Sequence, residues 1–426
     1  MADRLYGVLA ALLALGWLAC SSEQSTPRAL LIGIDGASLR VAAPLLEEGR
    51  LPHLGQIARE GVAGPLLSSL PLWSPRIWTT VATGKQPAKH GVLSFARKLE
   101  GGGRRLYRSS DRRTHALWNI ASDAGLRVAV VNWWTTHPPE RIEGVMLSDH
   151  AFPEEIAELG AYMGAKAESS GDIVYPPAWR ARVRELLAVQ EPLAAIADPF
   201  EPAAELPPGV DREYLERRLR FDASLVRVAL AIEAELRPDL LMLLLPGIDK
   251  ASHFLWGSLE PEEIYPESQR PTPAQRAAGA EALRRCYIYT DALIGLLLER
   301  YAAEDLVMVV SDHGFEGAAG FGGITGVHKT AAAREGVVFA RGRGVRRGAS
   351  TEGVRVVDVT PTLLAWLGLP LAHDMDGTPA GFLDAPSRPP IETYDTTSIE
   401  RVGETSLETE QRLIEELHEL GYLDSR

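Results

Sequence analysis

A chain of 426 residues in which 46% of side chains are hydrophobic and 24% charged has the make-up of a folded globular protein, with room for one large α/β domain carrying insertions or for two ordinary domains. Its net charge of −13 excludes bulk binding of a nucleic-acid polymer, whose phosphates would be repelled overall. The only cysteines, Cys20 and Cys286, exclude a disulfide-stapled fold, because the first closes an export signal.

In chain order, residues 1–19 form that signal segment. An arginine precedes an apolar stretch from Leu5 to Ala19, and Cys20 and two serines follow. The stretch falls short of the ~20 residues that span a bilayer comfortably. It resembles a bacterial lipoprotein signal, which implies lipidation at Cys20 and a domain exported to the bacterial cell envelope, held to the membrane by a lipid anchor and facing the periplasm or the outside. An uncleaved anchor or an ordinary signal is the alternative, and the domain is exported in each case. Residues 20–28 read as a polar tether.

"ALLIGIDGAS" then predicts a strand ending at Asp35 and Gly36, and "SLRVAAPLLEEGRLPHLGQIAREG" has helical spacing closed by Gly61. In "PLWSPRIWTTVATGKQPAKHGV", Ser74 precedes a helical run ending at Gly84, so it sits at a helix N-terminus, where backbone amides and the dipole favour an anion. Taken alone, Ser74 reads as a helix cap. The basic segment from Arg97 to Arg113 reads as a solvated hairpin tip, with steering of anionic substrates or contact with lipid headgroups as the alternative. "LRVAVVNW" is the next strand and brings Asn132 to its end, placed to donate to a substrate, with Trp133 and Trp134 as an apolar wall or core packing.

From residue 151 to 237 the composition shifts to Ala, Glu, Pro and Arg, and "REYLERRLRFDASLVRVALAIEAEL" is plainly helical, so this segment reads as a helical insertion or cap. "PDLLMLLLPGID" and "EDLVMVVSDHG" are two further strands. The first leads to Asp249 and His253, the second to Asp312, His313 and the turn residue Gly314. Between them a Pro/Glu-rich stretch reads as a rim loop. His328 lies in the Gly-rich "GITGVHKT". Residues 386–426 form a tail, in which a capping box from Thr405 to Glu408 opens a docking helix that stops at Gly421. Strands alternating with helices predict an α/β fold: a mostly parallel central sheet with helices on both faces, formed by residues 29–150 and 238–385.

Three carboxylates (Asp35, Asp249, Asp312) and three imidazoles (His253, His313, His328) are thereby expected on one edge of one sheet, where open α/β sheets bind ligands. That number suits two divalent metal ions, and mixed His and Asp ligands favour zinc. His53, His115, His137, His150, His373 and His418 have no acid placed at a strand end and read as surface or packing groups; His90, after a tight turn, reads as structural.

The motifs "LIGIDGA", "SPRIWTTVATGKQPAKHGV", "GIDKASH", "VSDHGF", "VHK" and "VVDVTPTLLAWLGLPLAHDMDGTP", in this order, resemble the alkaline phosphatase superfamily, and within it the type I phosphodiesterase and nucleotide pyrophosphatase branch. The resemblance implies an alkaline phosphatase-like fold in which Asp35, Ser74, Asp312 and His313 hold one metal and Asp249, His253 and His328 the other. It implies phosphoryl transfer from a small phosphate ester by way of a phosphoseryl intermediate on Ser74. Nucleotide pyrophosphatases carry threonine as nucleophile and an asparagine three residues later. Here those positions are Ser74 and Ile77, which counts against a nucleotide in particular. Sulfatases need a proline and an arginine where this chain has Arg76 and Trp78.

With two divalent ions set against three aspartates and a serine alkoxide the site is close to neutral, so a phosphodiester is the expected substrate. Arg76 and Lys329 are basic neighbours that could meet further charge. A phosphomonoesterase, a phosphoryl or head-group transferase, and a non-enzymatic surface lipoprotein are the alternatives.

Overall fold

Apolar runs with no polar alternation have to be covered on both faces, and this chain covers them with helices. The computed structural model describes residues 27–98, 104–149, 172–189, 193, 196–200, 204–318, 323–386 and 388–402. The strands of the main sheet are β1 (Ala29–Ile34), β2 (Val62–Leu67), β3 (Val128–Trp133), β4 (Gly144–Ser148), β5 (Val174–Tyr175), β6 (Leu240–Leu245), β7 (Leu306–Val310) and β8 (Glu335–Arg341). They lie in the order β2-β8-β7-β1-β6-β3-β4-β5. From β7 to β4 all neighbours are parallel, whereas β8 runs against β7 and β2, and β5 against β4.

The larger helices are α1 (Leu39–Glu47), α2 (Pro52–Glu60), α3 (Ser74–Thr83), α4 (Leu117–Asp123), α5 (Arg180–Ala188), α6 (Arg212–Leu236), α7 (Gly247–Leu255), α8 (Pro273–Leu298) and α9 (Val359–Trp366). Alternation along β1 shows how they divide. Leu30, Ile32 and Ile34 enter a core shared with α1, α2, α6, α7 and α8. Ala29 and Leu31 enter a second core, shared with α3, α4 and α9. A leucine or isoleucine fully buried in either layer contributes roughly 1.5–3 kcal/mol relative to exposure.

Within the segment read as a helical insertion, β5 and α5 stand at the far edge of the sheet. The long helix α6, capped by Asp211, whose carboxylate accepts the Tyr214 amide at 3.0 Å, places Leu219, Val226 and Ile232 in the first core beside the sheet. The basic segment contains a short antiparallel hairpin, Ala96–Lys98 against Arg104–Leu106. Cys286, on α8, is a buried free thiol. The signal segment with Cys20, together with His150, His418 and the helix expected from Thr405, lies outside the described residues. No helix among the described residues is long and apolar enough to cross a membrane.

Register decides what meets at the carboxyl edge. Ile34 pairs with Leu245, Gly33 with Val310 and Val131 with Leu243, so β1, β6, β7 and β3 end nearly level. The residues that follow these four strands are therefore delivered to one place.

Candidate active site

Asp35 follows β1 directly and is buried. The chain turns away through Gly36, whose φ of +71° lies in the left-handed region and where a Cβ would come within 2.6 Å of the Phe315 ring. The Gly36 amide donates to Asp312 Oδ1 at 3.3 Å, and the Ala37 amide donates to Ser311 Oγ at 2.8 Å, which ties the ends of β1 and β7 together.

Ser74 is the first residue of α3, with Trp73 as the cap residue. Its hydroxyl is thus not used for capping; it donates to Asp35 Oδ1 at 3.3 Å. The other Asp35 oxygen accepts two indole N–H groups, from Trp78 at 3.3 Å and Trp134 at 3.1 Å. Trp78 crosses β1 at Gly33, where a Cβ would lie 2.7 Å from its ring, so the strand carries glycine at that level.

Asp249 and His253 are one turn apart on α7, and Asp249 Oδ1 lies 3.5 Å from His253 Nε2 and 3.7 Å from His328 Nε2. His313 Nε2 lies 3.4 Å from both Asp35 Oδ1 and Asp312 Oδ2. The His313 and His328 rings stack at 3.8 Å. Two sets of ligand atoms lie within mutual reach, Asp35 with Asp312 and His313, and Asp249 with His313 and His328. His253 adjoins the second set through Asp249.

The three imidazoles share one orientation device. Nδ1 of His253, His313 and His328 meets the carbonyl of Gly326, Gly314 and Leu72 at 2.9, 2.9 and 2.8 Å, so each Nδ1 carries the proton and each Nε2 turns a lone pair into the site. His313 Nε2 and Asp312 Oδ2 are buried without a hydrogen-bond partner. Orphaned ligand atoms of this kind, beside carboxylates and oriented imidazoles, fit divalent metal ions.

The electrostatics agree. Burial raises the Asp35 carboxyl above its usual range, with Asp249 adding to the effect, and burial followed by Asp35 raises Asp312 well above it. Burial also pushes Asp249 upward, but His253, Lys250 and His328 outweigh it and hold that carboxyl below the usual range. Burial drives His253 down to about 4 despite Asp249, and drives His328 well below its ordinary value with His313 assisting. The chain alone thus presents neutral imidazoles at His253 and His328 beside crowded carboxylates, a donor set that positive ions relieve.

The residues expected to contact substrate are placed differently from one another. Arg76 donates to the Ser69 carbonyl at 2.7 Å and the Pro71 carbonyl at 3.0 Å, so its guanidinium holds the loop that leads into Ser74. Asn132 Nδ2 donates to the Leu244 carbonyl at 3.2 Å. Lys329 is exposed, and its amide donates to Glu316 at 3.0 Å. Lys250, whose Nζ is 3.6 Å from Asp249 Oδ2, is a cation at the site that sequence reasoning passed over, although it is the next residue after Asp249. The indole donors Trp78 and Trp134 were also missed as partners of Asp35. Among the histidines set aside, His90 is buried against Thr80 Oγ1 at 3.0 Å, and His115 Nδ1 lies 3.2 Å from Asp395.

Residues 29–342 match the family described as Type I phosphodiesterase / nucleotide pyrophosphatase. No curated protein matches the chain. Among solved structures, a putative sulfatase from Bacteroides thetaiotaomicron is similar with a TM-score of 0.52 and 14% identity, over 85% of this chain and 76% of that one, which shows a shared fold. A phosphonate monoester hydrolase from Silicibacter pomeroyi is similar at 16% identity with a TM-score of 0.47, over 83% of this chain and 76% of that one. A phosphonoacetate hydrolase from Sinorhizobium meliloti, in complex with phosphonoformate, is similar at 17% identity with a TM-score of 0.40, over 68% of this chain; the match spans 57% of that hydrolase.

Proposed function

The chain belongs to the type I phosphodiesterase/nucleotide pyrophosphatase family of the alkaline phosphatase superfamily, and we propose that it is a metal-dependent phosphoric ester hydrolase that uses Ser74 as nucleophile and acts on phosphodiesters. The observation that carries this reading is the Ser74 hydroxyl, 3.3 Å from Asp35 Oδ1 at the N-terminus of α3, beside two sets of converging ligand atoms. Asp35, Ser74, Asp312 and His313 would hold one ion, and Asp249, His253 and His328 the other. Two divalent ions, zinc by donor chemistry, would supply the positive charge that makes the serine hydroxyl acidic and offsets charge on the transferred group.

The chain's own residues do the rest. The Ser74 and Arg76 amides in the first turn of α3, with Pro75 between them lacking an N–H, would meet the phosphoryl oxygens and orient the ester. In the loaded site the Ser74 hydroxyl would give up its proton to solvent, so that Asp35 stays a carboxylate facing the alkoxide through Oδ1. Ser74 Oγ bonds to phosphorus as the bond to the leaving alkoxide breaks on the opposite side, and the alkoxide takes a proton to become the alcohol. The phosphoseryl intermediate keeps the second ester group of a diester substrate. Water attacks it in turn, the Ser74 oxygen departs and regains a proton, and a phosphomonoester is released. Lys250 adds one positive charge to a site that is otherwise close to neutral, so a singly charged diester completes the balance and a dianionic monoester exceeds it. Arg76 and Trp78 stand where a sulfatase needs proline and arginine, so the sulfatase neighbour contributes its fold and not its chemistry.

Turnover of bis(4-nitrophenyl) phosphate and 4-nitrophenyl phosphate by the zinc-loaded protein tests the reading. The diester is expected to have the higher kcat/KM, and Ser74→Ala to abolish turnover while keeping most of the bound zinc. Full activity in that variant would sink the covalent route. Lipid anchoring at Cys20 is proposed on the sequence of the signal segment, and Cys20→Ser is expected to release the protein from the membrane fraction.

A further inference from the structure

Trp134 sits inside a strained turn. Asn132 on one side has φ of 57°, and Thr135 on the other has φ of 64°. Left-handed backbone costs a residue with a Cβ on the order of 1–3 kcal/mol and is a marked outlier for β-branched threonine. Among the described residues Arg237 is the only other non-glycine with positive φ.

Such a turn persists where its surroundings over-determine it, and here they do. Asp149, buried just beyond β4, accepts the Thr135 amide at 2.7 Å, the Thr136 amide at 3.2 Å and the Thr136 hydroxyl at 3.3 Å. The Asn132 side chain is tied to β6 through the Leu244 carbonyl. The outcome is the placement of one N–H group. Trp134 Nε1 reaches Asp35 Oδ2 at 3.1 Å, where Trp78 Nε1 also arrives, and the Trp134 ring is steadied edge-on by Phe95 at 5.8 Å between centroids. With Oδ2 held by two donors, Oδ1 is the oxygen left for Ser74 at 3.3 Å and His313 at 3.4 Å.

We propose that Trp134 is a positioning residue for the site: the Asn132–Thr135 turn, pinned by Asp149, clamps its indole N–H on Asp35 Oδ2 so that Asp35 presents Oδ1 alone to Ser74 and to a metal ion. The proposal rests on the reading of Asp35 as a ligand. Ring packing alone would be served by phenylalanine; the N–H is what the turn delivers. Outer hydrogen bonds that orient a ligand carboxylate matter by about 10–100-fold in metal affinity.

The test is zinc affinity, measured on the metal-free protein by competition with a chromophoric chelator, for wild type, Trp134→Phe and Asp149→Asn, with thermal unfolding followed in parallel. Trp134→Phe is expected to unfold close to wild type, to bind one of two zinc ions roughly tenfold or more weakly, and to lower kcat for bis(4-nitrophenyl) phosphate with KM kept. Asp149→Asn, which keeps one acceptor oxygen and sets an NH2 group against either the Thr135 or the Thr136 amide, is expected to weaken the same ion, and Trp134→Phe alone carries the test if Asp149→Asn does not fold. A smaller change in zinc affinity, or an equal loss at both ions as a fold defect would give, overturns the proposal and leaves the proposed activity standing. Wild-type protein that binds no zinc overturns both. A one-site loss in a protein that turns over no phosphoester upholds the positioning role and removes the proposed activity.

Discussion

Asp35 meets four groups with one carboxylate: Ser74 and His313 at Oδ1, Trp78 and Trp134 at Oδ2. No single neighbour explains its place, and the same holds for the imidazoles, each oriented by a backbone carbonyl behind it. His253 is the most exacting case. Burial holds it near 4, so its Nε2 is unprotonated at neutral pH and available as a donor without first losing a proton. His253→Ala is therefore expected to lower zinc stoichiometry from two ions to one and to reduce kcat by several orders of magnitude, with zinc counted by elemental analysis of the purified variant. Retention of both ions would show that His253 is a packing residue beside the site.

Helix α3 shows how an element can serve the site at both ends. Its first residue is the proposed nucleophile, its second turn supplies Trp78, and Thr80 meets His90 from the turn that follows. Burial, aided by Arg76 and Arg112, depresses the His90 imidazole to about 3, so the folded protein keeps it neutral where the unfolded chain, at its ordinary 6.5, takes up a proton. The sign follows from linkage: stability from this group is full above about 6.5 and declines as pH falls toward 3, on the order of 1 kcal/mol per pH unit. His90→Asn, which keeps an acceptor for the Val92 amide, is expected to remove that slope, so its deficit against wild type in urea unfolding narrows from pH 7 to pH 4. A constant deficit would contradict the burial argument. Strands β1 and β7 and their terminal acids were legible because an apolar run followed by Asp-Gly or Asp-His-Gly states both a strand and its end; β2, β4, β5 and β8 were not read, although the sheet includes them. The clamp on Asp35 was not, since Trp78 and Trp134 meet only when α3 crosses β1 at Gly33 and the turn after β3 enters the left-handed region. Helix α6 was legible as a helix, but its apolar stripe does not say which surface it covers.

At the scale of the whole molecule, the parallel order β7-β1-β6-β3 gathers residues from distant parts of the sequence at one edge, where loops and the helices α3 and α7 supply the site. The sheet is buried on both faces, so the residues at its carboxyl edge are carried by a packed scaffold. On the proposed covalent route, phosphorus passes through Ser74 and not directly to water. The stereochemical course at phosphorus tests it most directly, with an aryl phosphorothioate diester of one configuration hydrolysed in isotopically labelled water by the zinc-loaded protein. Two in-line displacements, first by Ser74 Oγ and then by water, predict net retention of configuration; net inversion would contradict the account.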